Sequence, residues 1–277
     1  MDTPLSPAPG RFLAADGIDI HYVETGSGQP LILLHGGTAS NHSAWDASNW
    51  GWHAYLDELS SRFRVIAPDL RGHGWTRNSA GAVSYTLLAN DLAALVTGLQ
   101  LERPLVMGFS DGGIAATVLA IREPDAIGAL VNIAGYDLFD PASPSMGLMR
   151  RSLGDDPAAT GPDADSIAAA GGPWFDALVT THDTAQGHGA WRMLLSDAFE
   201  RWTAPIGYDV DDLSRVTVPT LIIAGDRDGF CSPEESVRAF RQIAQAELAI
   251  VPNRAHTISP EMVAIATEFL LRRGSAS

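Results

Sequence analysis

Short, wholly apolar runs alternate along the chain with segments of helical length, and this alternation restricts the possible architecture more than any other feature of the sequence. A strand that is apolar on both faces must be covered on both, which is the situation of a parallel sheet wrapped by crossover helices. Runs at 31–34, 65–67, 105–107, 129–134, 221–224 and 248–251 read as such strands, after an antiparallel opening pair over 11–14 and 18–23. Helices are expected at about 52–60, 84–99, 111–122, 233–245 and 260–272, several with Ser or Asp near the start to accept the first free amides. The expected fold class is α/β, a mostly parallel eight-stranded sheet flanked by helices.

One interval breaks the rhythm. From Tyr136 to about Val210 no strand-like run occurs, and Pro, Gly, Asp, Met and Trp become frequent. A helical lid inserted into the α/β core is expected there, with Trp174, Phe175, Trp191, Met193, Phe199 and Trp202 supplying an apolar underside. The expected division is a core domain over 11–135 and 211–277, a cap over 136–210, and a disordered leader over 1–10.

The 277 residues carry 18 Lys and Arg against 33 Asp and Glu, a formal charge of −15. Phosphate binding needs clustered cations, so a nucleic-acid partner is not expected. No apolar stretch approaches the roughly 18–20 residues that span a bilayer, and the opening MDTPLSPAPG lacks the basic and apolar regions of a secretory signal. The single cysteine, Cys231, excludes an intrachain disulfide and fits a reducing compartment. A cytoplasmic protein, monomeric or homodimeric and without membrane contact, is the expectation.

The most informative segment is Leu105-Val-Met-Gly108-Phe-Ser110-Asp111-Gly112-Gly113, an apolar run passing through G-x-S-x-G into a helix-like stretch. A sharp strand-to-helix turn strains its middle residue and crowds the positions two before and two after, where Gly108 and Gly112 stand. Ser110 then projects its hydroxyl at a helix N-terminus, whose free amides and dipole favour the negative charge of acyl transfer.

On these residues, and on the segments that follow, the chain resembles the α/β-hydrolase superfamily from about Phe12 to Leu271, with the lid where that family inserts its cap. The resemblance implies a catalytic triad in the order nucleophile, acid, histidine. Ser110 is then the nucleophile, Asp228 of Gly225-Asp-Arg-Asp228 the acid and His256 of Val251-Pro-Asn-Arg-Ala-His256 the general base. Asp226 is the fallback acid, although a loop-structuring role suits it better. The resemblance also implies an oxyanion hole from the backbone amides of Gly37, in His35-Gly-Gly37-Thr, and Asp111. His35, Asp69 and Arg71 are read as structural.

Asp111 places a carboxylate beside the nucleophile. It is able to attract a cationic group of a substrate, but a favourable interaction with the helix N-terminus, about 0.3–1 kcal/mol, is the preferred reading. Trp45, Trp50 and Trp52 follow the oxyanion loop, and together with the lid aromatics they suggest an apolar cleft. Trp45, Trp174, Trp191 and Met193 are the candidate substrate-binding residues. His182, Asp183 and His188 are read as solvent-exposed rather than as a metal site, and neither metal nor cofactor is expected.

The implied function is cofactor-free serine hydrolysis of small carboxylic esters or lactones, in an enol-lactonase-like or valacyclovir-hydrolase-like layout. A carbon–carbon bond hydrolase, thioesterase, amidase or perhydrolase would use the same triad, and a non-catalytic ligand-binding protein would keep the same fold.

Overall fold

The computed structural model describes residues 10–15, 17–40, 51–79, 81, 83–135, 147–148 and 161–274. Trp45, Trp50, Tyr136 and the leader over 1–9 lie outside them. The eight-stranded sheet has the order β1-β2-β4-β3-β5-β6-β7-β8. Its strands are β1 (Arg11–Ala15), β2 (Ile18–Gly26), β3 (Pro30–Leu34), β4 (Arg64–Pro68), β5 (Leu105–Phe109), β6 (Ala129–Ile133), β7 (Thr220–Gly225) and β8 (Ala246–Val251). Only the β1–β2 and β2–β4 pairs are antiparallel; from β4 across to β8 all neighbours run parallel.

The side chains divide by parity, as the pleat requires. Ile32, Leu34, Ile66, Val106, Leu130 and Ile222 face one side, under α2 (Tyr85–Gly98) and α3 (Asp111–Arg122). Leu31, Leu33, Val65, Met107, Val131 and Ile223 face the other, against α1 (Leu56–Ser60) and the last helix, Pro260–Gly274. Burying each Leu or Ile on either side is worth about 1.5–3 kcal/mol. Trp52 belongs to this second layer: its indole is fully buried and donates to Leu34 O at 2.9 Å, so it packs the core instead of lining a cleft.

Between β6 and β7 lies a helical insert of α4 (Ala164–Ala170), α5 (Pro173–Gln186) and α6 (Ala190–Thr203), with α7 (Pro233–Gln242) and α8 (Pro260–Gly274) completing the chain. Gly172 and Gly187 punctuate α5, and Pro173 opens it with the backbone angle a first turn needs. The insert has its own small apolar cluster, Leu178, Trp191, Leu194 and Leu195, with Trp174, Phe175, Phe199 and Trp202 at its margin. Among the described residues no helix is long and apolar enough to cross a membrane.

Candidate active site

Ser110 stands between β5 and α3 with φ +50° and ψ −120°, a backbone conformation that costs a non-glycine residue energy. The turn closes because its neighbours have no side chains. A Cβ on Gly108 would lie 2.5 Å from the Gly112 carbonyl carbon, and one on Gly112 would lie 2.6 Å from Leu34 Cβ. Ser110 N–H donates to Ile133 O at 2.9 Å. Asn132 braces the same turn, donating to Gly113 O and accepting from Gly135 N–H.

His256, on the loop after β8, reaches Ser110 Oγ with Nε2 at 3.0 Å and Asp228 Oδ2 with Nδ1 at 2.9 Å. The other oxygen of Asp228 accepts from the Phe230 and Cys231 amides, both at 2.9 Å. Those two bonds fix the carboxylate so that it faces the imidazole. Phe109 and Phe230 flank the His256 ring at centroid distances of 4.8 and 5.1 Å. Asp226, the fallback acid, instead accepts from the Asn253 and Arg254 amides and ties the two loops together.

The loop after β3 approaches the same point. Thr38, at φ +63°, gives its amide to His73 Nε2 at 3.2 Å, and among the described residues no hydrogen bond engages the Gly37 N–H. Gly36 packs so tightly that a Cβ there would lie 2.9 Å from Phe109. His35 and His73 hold the loop from below. Each donates Nδ1–H to a carbonyl, of Gly36 and Arg71, and accepts an amide at Nε2, from Leu70 and Thr38. Burial lowers the pKa of both rings, His73 strongly, which keeps these neutral tautomers. Asp69 joins His21 and the Trp75 amide, and Arg71 forks onto Asp91, so these residues brace loops as expected.

The Asp111 carboxylate is buried and does not present its charge to a substrate. It accepts from Arg201 Nε and Nη2 at 2.9 and 2.7 Å, from Trp202 Nε1 at 2.9 and 3.1 Å, and from the Tyr85 hydroxyl at 2.9 Å. A cation from α6, rather than the helix N-terminus alone, answers the charge. Tyr85 stays protonated as a donor because burial, then Asp111, raises its pKa well above the ordinary value. Sequence reading missed Arg201 and Tyr85. The available signal was chemical: a carboxylate in a buried turn needs a cation, and the sequence over 136–210 offers Arg150, Arg151, Arg192 and Arg201.

The candidate substrate contacts separate. Trp174, on α5, directs its indole N–H at Thr38 Oγ1, 3.4 Å away, and so lies against the loop after β3. Trp191 is buried inside the insert, edge-on to Phe175 and covered by Arg192, because α6 turns that face toward α5. Met193 is 65% exposed and lines an outer groove of ≈ 380 Å³ with Arg77, Asn78, Gln186 and Asp197, which contains none of Ser110, Asp228 and His256. His182 and Asp183 are buried, against the expectation of solvent exposure, and only His188 is open. His182 donates Nδ1–H to Leu178 O and stacks edge-on against His73 at 6.0 Å, while Asp183 accepts the Gly189 and Trp191 amides. Among the described residues no group of His, Cys, Asp and Glu is arranged to hold a metal ion.

Comparison with known proteins gives these residues a context. The chain is 26% identical to 2-hydroxy-6-oxo-2,4-heptadienoate hydrolase of Pseudomonas putida, covering 91% of each chain. Its fold is similar to a meta-cleavage product hydrolase from Pseudomonas fluorescens, with a TM-score of 0.72 at 22% identity over 95% of this chain and 98% of the other. It is equally similar to an esterase from Exiguobacterium antarcticum, with a TM-score of 0.72 at 21% identity over 97% and 100%. The alpha/beta hydrolase family model matches residues 31–267, from the first parallel strand to the last helix, and the chain belongs to that family.

Proposed function

We propose that this protein is a cofactor-free serine hydrolase of small carboxylic esters or lactones, working through an acyl-enzyme on Ser110. One observation carries the reading: a single imidazole, His256, lies within hydrogen-bond reach of both Ser110 Oγ and the buried Asp228 carboxylate. His256 Nε2 takes the proton as Ser110 Oγ attacks the carbonyl carbon, and Asp228 stabilises the imidazolium while holding the ring's orientation. The amides of Gly37 and Asp111 receive the oxyanion. His256 then gives its proton to the leaving alkoxide, and a water molecule activated by the same imidazole releases the acid. The helices over 161–203 serve as a cap, with Trp174 at the acyl side of the cleft, and the substrate is small and apolar.

A second reading, hydrolysis of a carbon–carbon bond, is favoured by the relatives from the two Pseudomonas species and uses the same three side chains. Turnover of p-nitrophenyl esters, simple lactones and a vinylogous 1,5-diketone by wild type and Ser110→Ala, with fluorophosphonate labelling of both, separates the readings. Ester or lactone turnover and labelling that both vanish in the variant support the first. Labelled wild type that cleaves only the diketone supports the second, and absent labelling removes Ser110 as the nucleophile.

A further inference from the structure

The second carboxylate of the site lies where its charge has the wrong sign. Asp111 is the residue whose amide joins the proposed oxyanion hole. Its Oδ2 also lies 2.7 Å from the position a Cβ on Gly37, the other donor, would occupy. An anion between the two donors opposes the negative charge that builds on the substrate oxygen, in a pocket where little water screens it. Arg201 stands against this carboxylate with two nitrogens, and both side chains are almost wholly shielded, at 2% and 3% exposure. Trp202, the next residue on α6, donates to both oxygens, and its Cζ2 lies 2.6 Å from the same absent Gly37 Cβ. The loop bearing Gly37, the elbow bearing Ser110 and the helix α6 therefore meet at one ion pair.

We infer that Asp111 and Arg201 form a positioning pair for the oxyanion hole, in which Arg201 cancels the carboxylate's field and keys α6 to the nucleophile elbow. The inference rests on the reading of Ser110 as nucleophile. Geometry and charge support it together. Five hydrogen bonds converge on one carboxylate, and all their donors come from helices α2 and α6. The remaining charged or titratable groups around the pair are the Tyr85 phenol, His35 and His73 beneath the loop, Cys231, and Asp197 beside Arg201. Burial keeps Tyr85, His35 and His73 neutral, and Asp197 is only half-buried. Although burial alone would lower the Arg201 pKa, Asp111 and then Tyr85 raise it, so the guanidinium keeps its charge. The specificity that follows is for uncharged acyl groups, because the carboxylate beside the nucleophile is already paired and offers no charge to a cationic one.

Steady-state hydrolysis of p-nitrophenyl butyrate across pH by Arg201→Met, Asp111→Asn and the double variant tests this, with active sites counted by fluorophosphonate labelling. Arg201→Met is expected to lower kcat about 100-fold, with KM moving less than about threefold, and to shift the acid limb of kcat/KM to higher pH. Asp111→Asn leaves an unopposed cation and shifts that limb to lower pH. The double variant recovers about tenfold over Arg201→Met, with its limb back near that of wild type. An unchanged kcat in Arg201→Met overturns the inference, as does a double variant no better than the single one, or a loss confined to KM with no movement of the limb. Should Arg201→Met fail to fold, the limbs of Asp111→Asn and of the double variant decide: displacement in the first and return in the second supports the pair, and coincidence of the two refutes it. Wild type that is neither labelled nor active removes the serine-hydrolase reading, and the inference falls with it. Wild type and Arg201→Met labelled at equal rates remove the inference alone.

Discussion

The sheet and the helical insert are held by different forces. Every residue of β5 and β6 is buried, and the two layers around them are continuous apolar packing. Among the described residues the insert helices gather four large buried apolar side chains of their own, Trp202 packs against the body's apolar layer, and a set of polar contacts crosses the junction. Arg201 and Trp202 reach Asp111, Gln186 donates to Gly72 O and Gly74 O, Asn78 donates to Asp197, and Trp174 meets Thr38. Apolar packing carries no titrating group, whereas buried charges and neutral imidazoles respond to pH. The body therefore fixes Ser110, Asp228 and His256, and the junction of body and insert, where His35, His73 and His182 lie, is the part that conditions disturb.

Four experiments would break or sharpen this contrast. Removal of the proposed nucleophile is the largest: Ser110→Ala is expected to abolish at least about 10⁴-fold of ester turnover, about 5 kcal/mol of activation free energy, while the melting temperature stays put, because alanine keeps the Cβ and with it the backbone strain at φ +50°. Packing comes next. Leu33→Ala, in the sheet, should cost about 2–5 kcal/mol of global stability in denaturant titration, whereas Leu195→Ala should appear first as faster hydrogen exchange of amides in 173–203. Equal effects on sheet and insert amides would mean that the two unfold as one unit.

Acid supplies the third. Burial pushes the His182 pKa down from 6.5 to about 4, so between those values the unfolded chain binds more protons than the folded one. Stability then rises with pH across that window, and the contribution of about 3 kcal/mol is lost as pH falls toward 4. His35 and His73, also lowered by burial, steepen the loss. His182→Gln should flatten the slope of melting temperature against pH. An identical slope would place the acid sensitivity elsewhere. The smallest effect is expected at the junction's neutral contacts: Gln186→Ala should cost about 1 kcal/mol, visible as exchange in the 71–79 loop.

The contrast also explains how far the sequence could be read. The five inner strands, β3 to β7, were legible because a strand covered on both faces is apolar throughout and needs no partner to declare itself, whereas β1, β2 and β8 are partly open to solvent and showed only shorter apolar stretches. Ser110 was legible because its turn forces small residues at fixed local spacing. The bonds of His256 to Ser110 and Asp228 followed only from likeness to a family, since no local pattern joins residues 146 and 28 positions apart. Arg201 is 90 positions from Asp111 and went unseen for the same reason. That Trp191 turns into the insert and Met193 onto an outer groove could not be read, because the rotation of α6 is set by α5 and the body, not by composition. His182 was accessible in principle: Leu178, His182 and Ala185 repeat at helical spacing and are all buried, but the glycines after Gln186 suggested a loop.

The 146 positions between Ser110 and His256 have a consequence for biosynthesis. At about 5–20 residues per second, a ribosome needs on the order of ten seconds to pass from Ser110 to His256. For most of that interval the nascent chain holds Ser110 but neither β7 nor β8, whose following loops carry Asp228 and His256. The arrangement proposed as a triad is thus assembled only when the last strands dock.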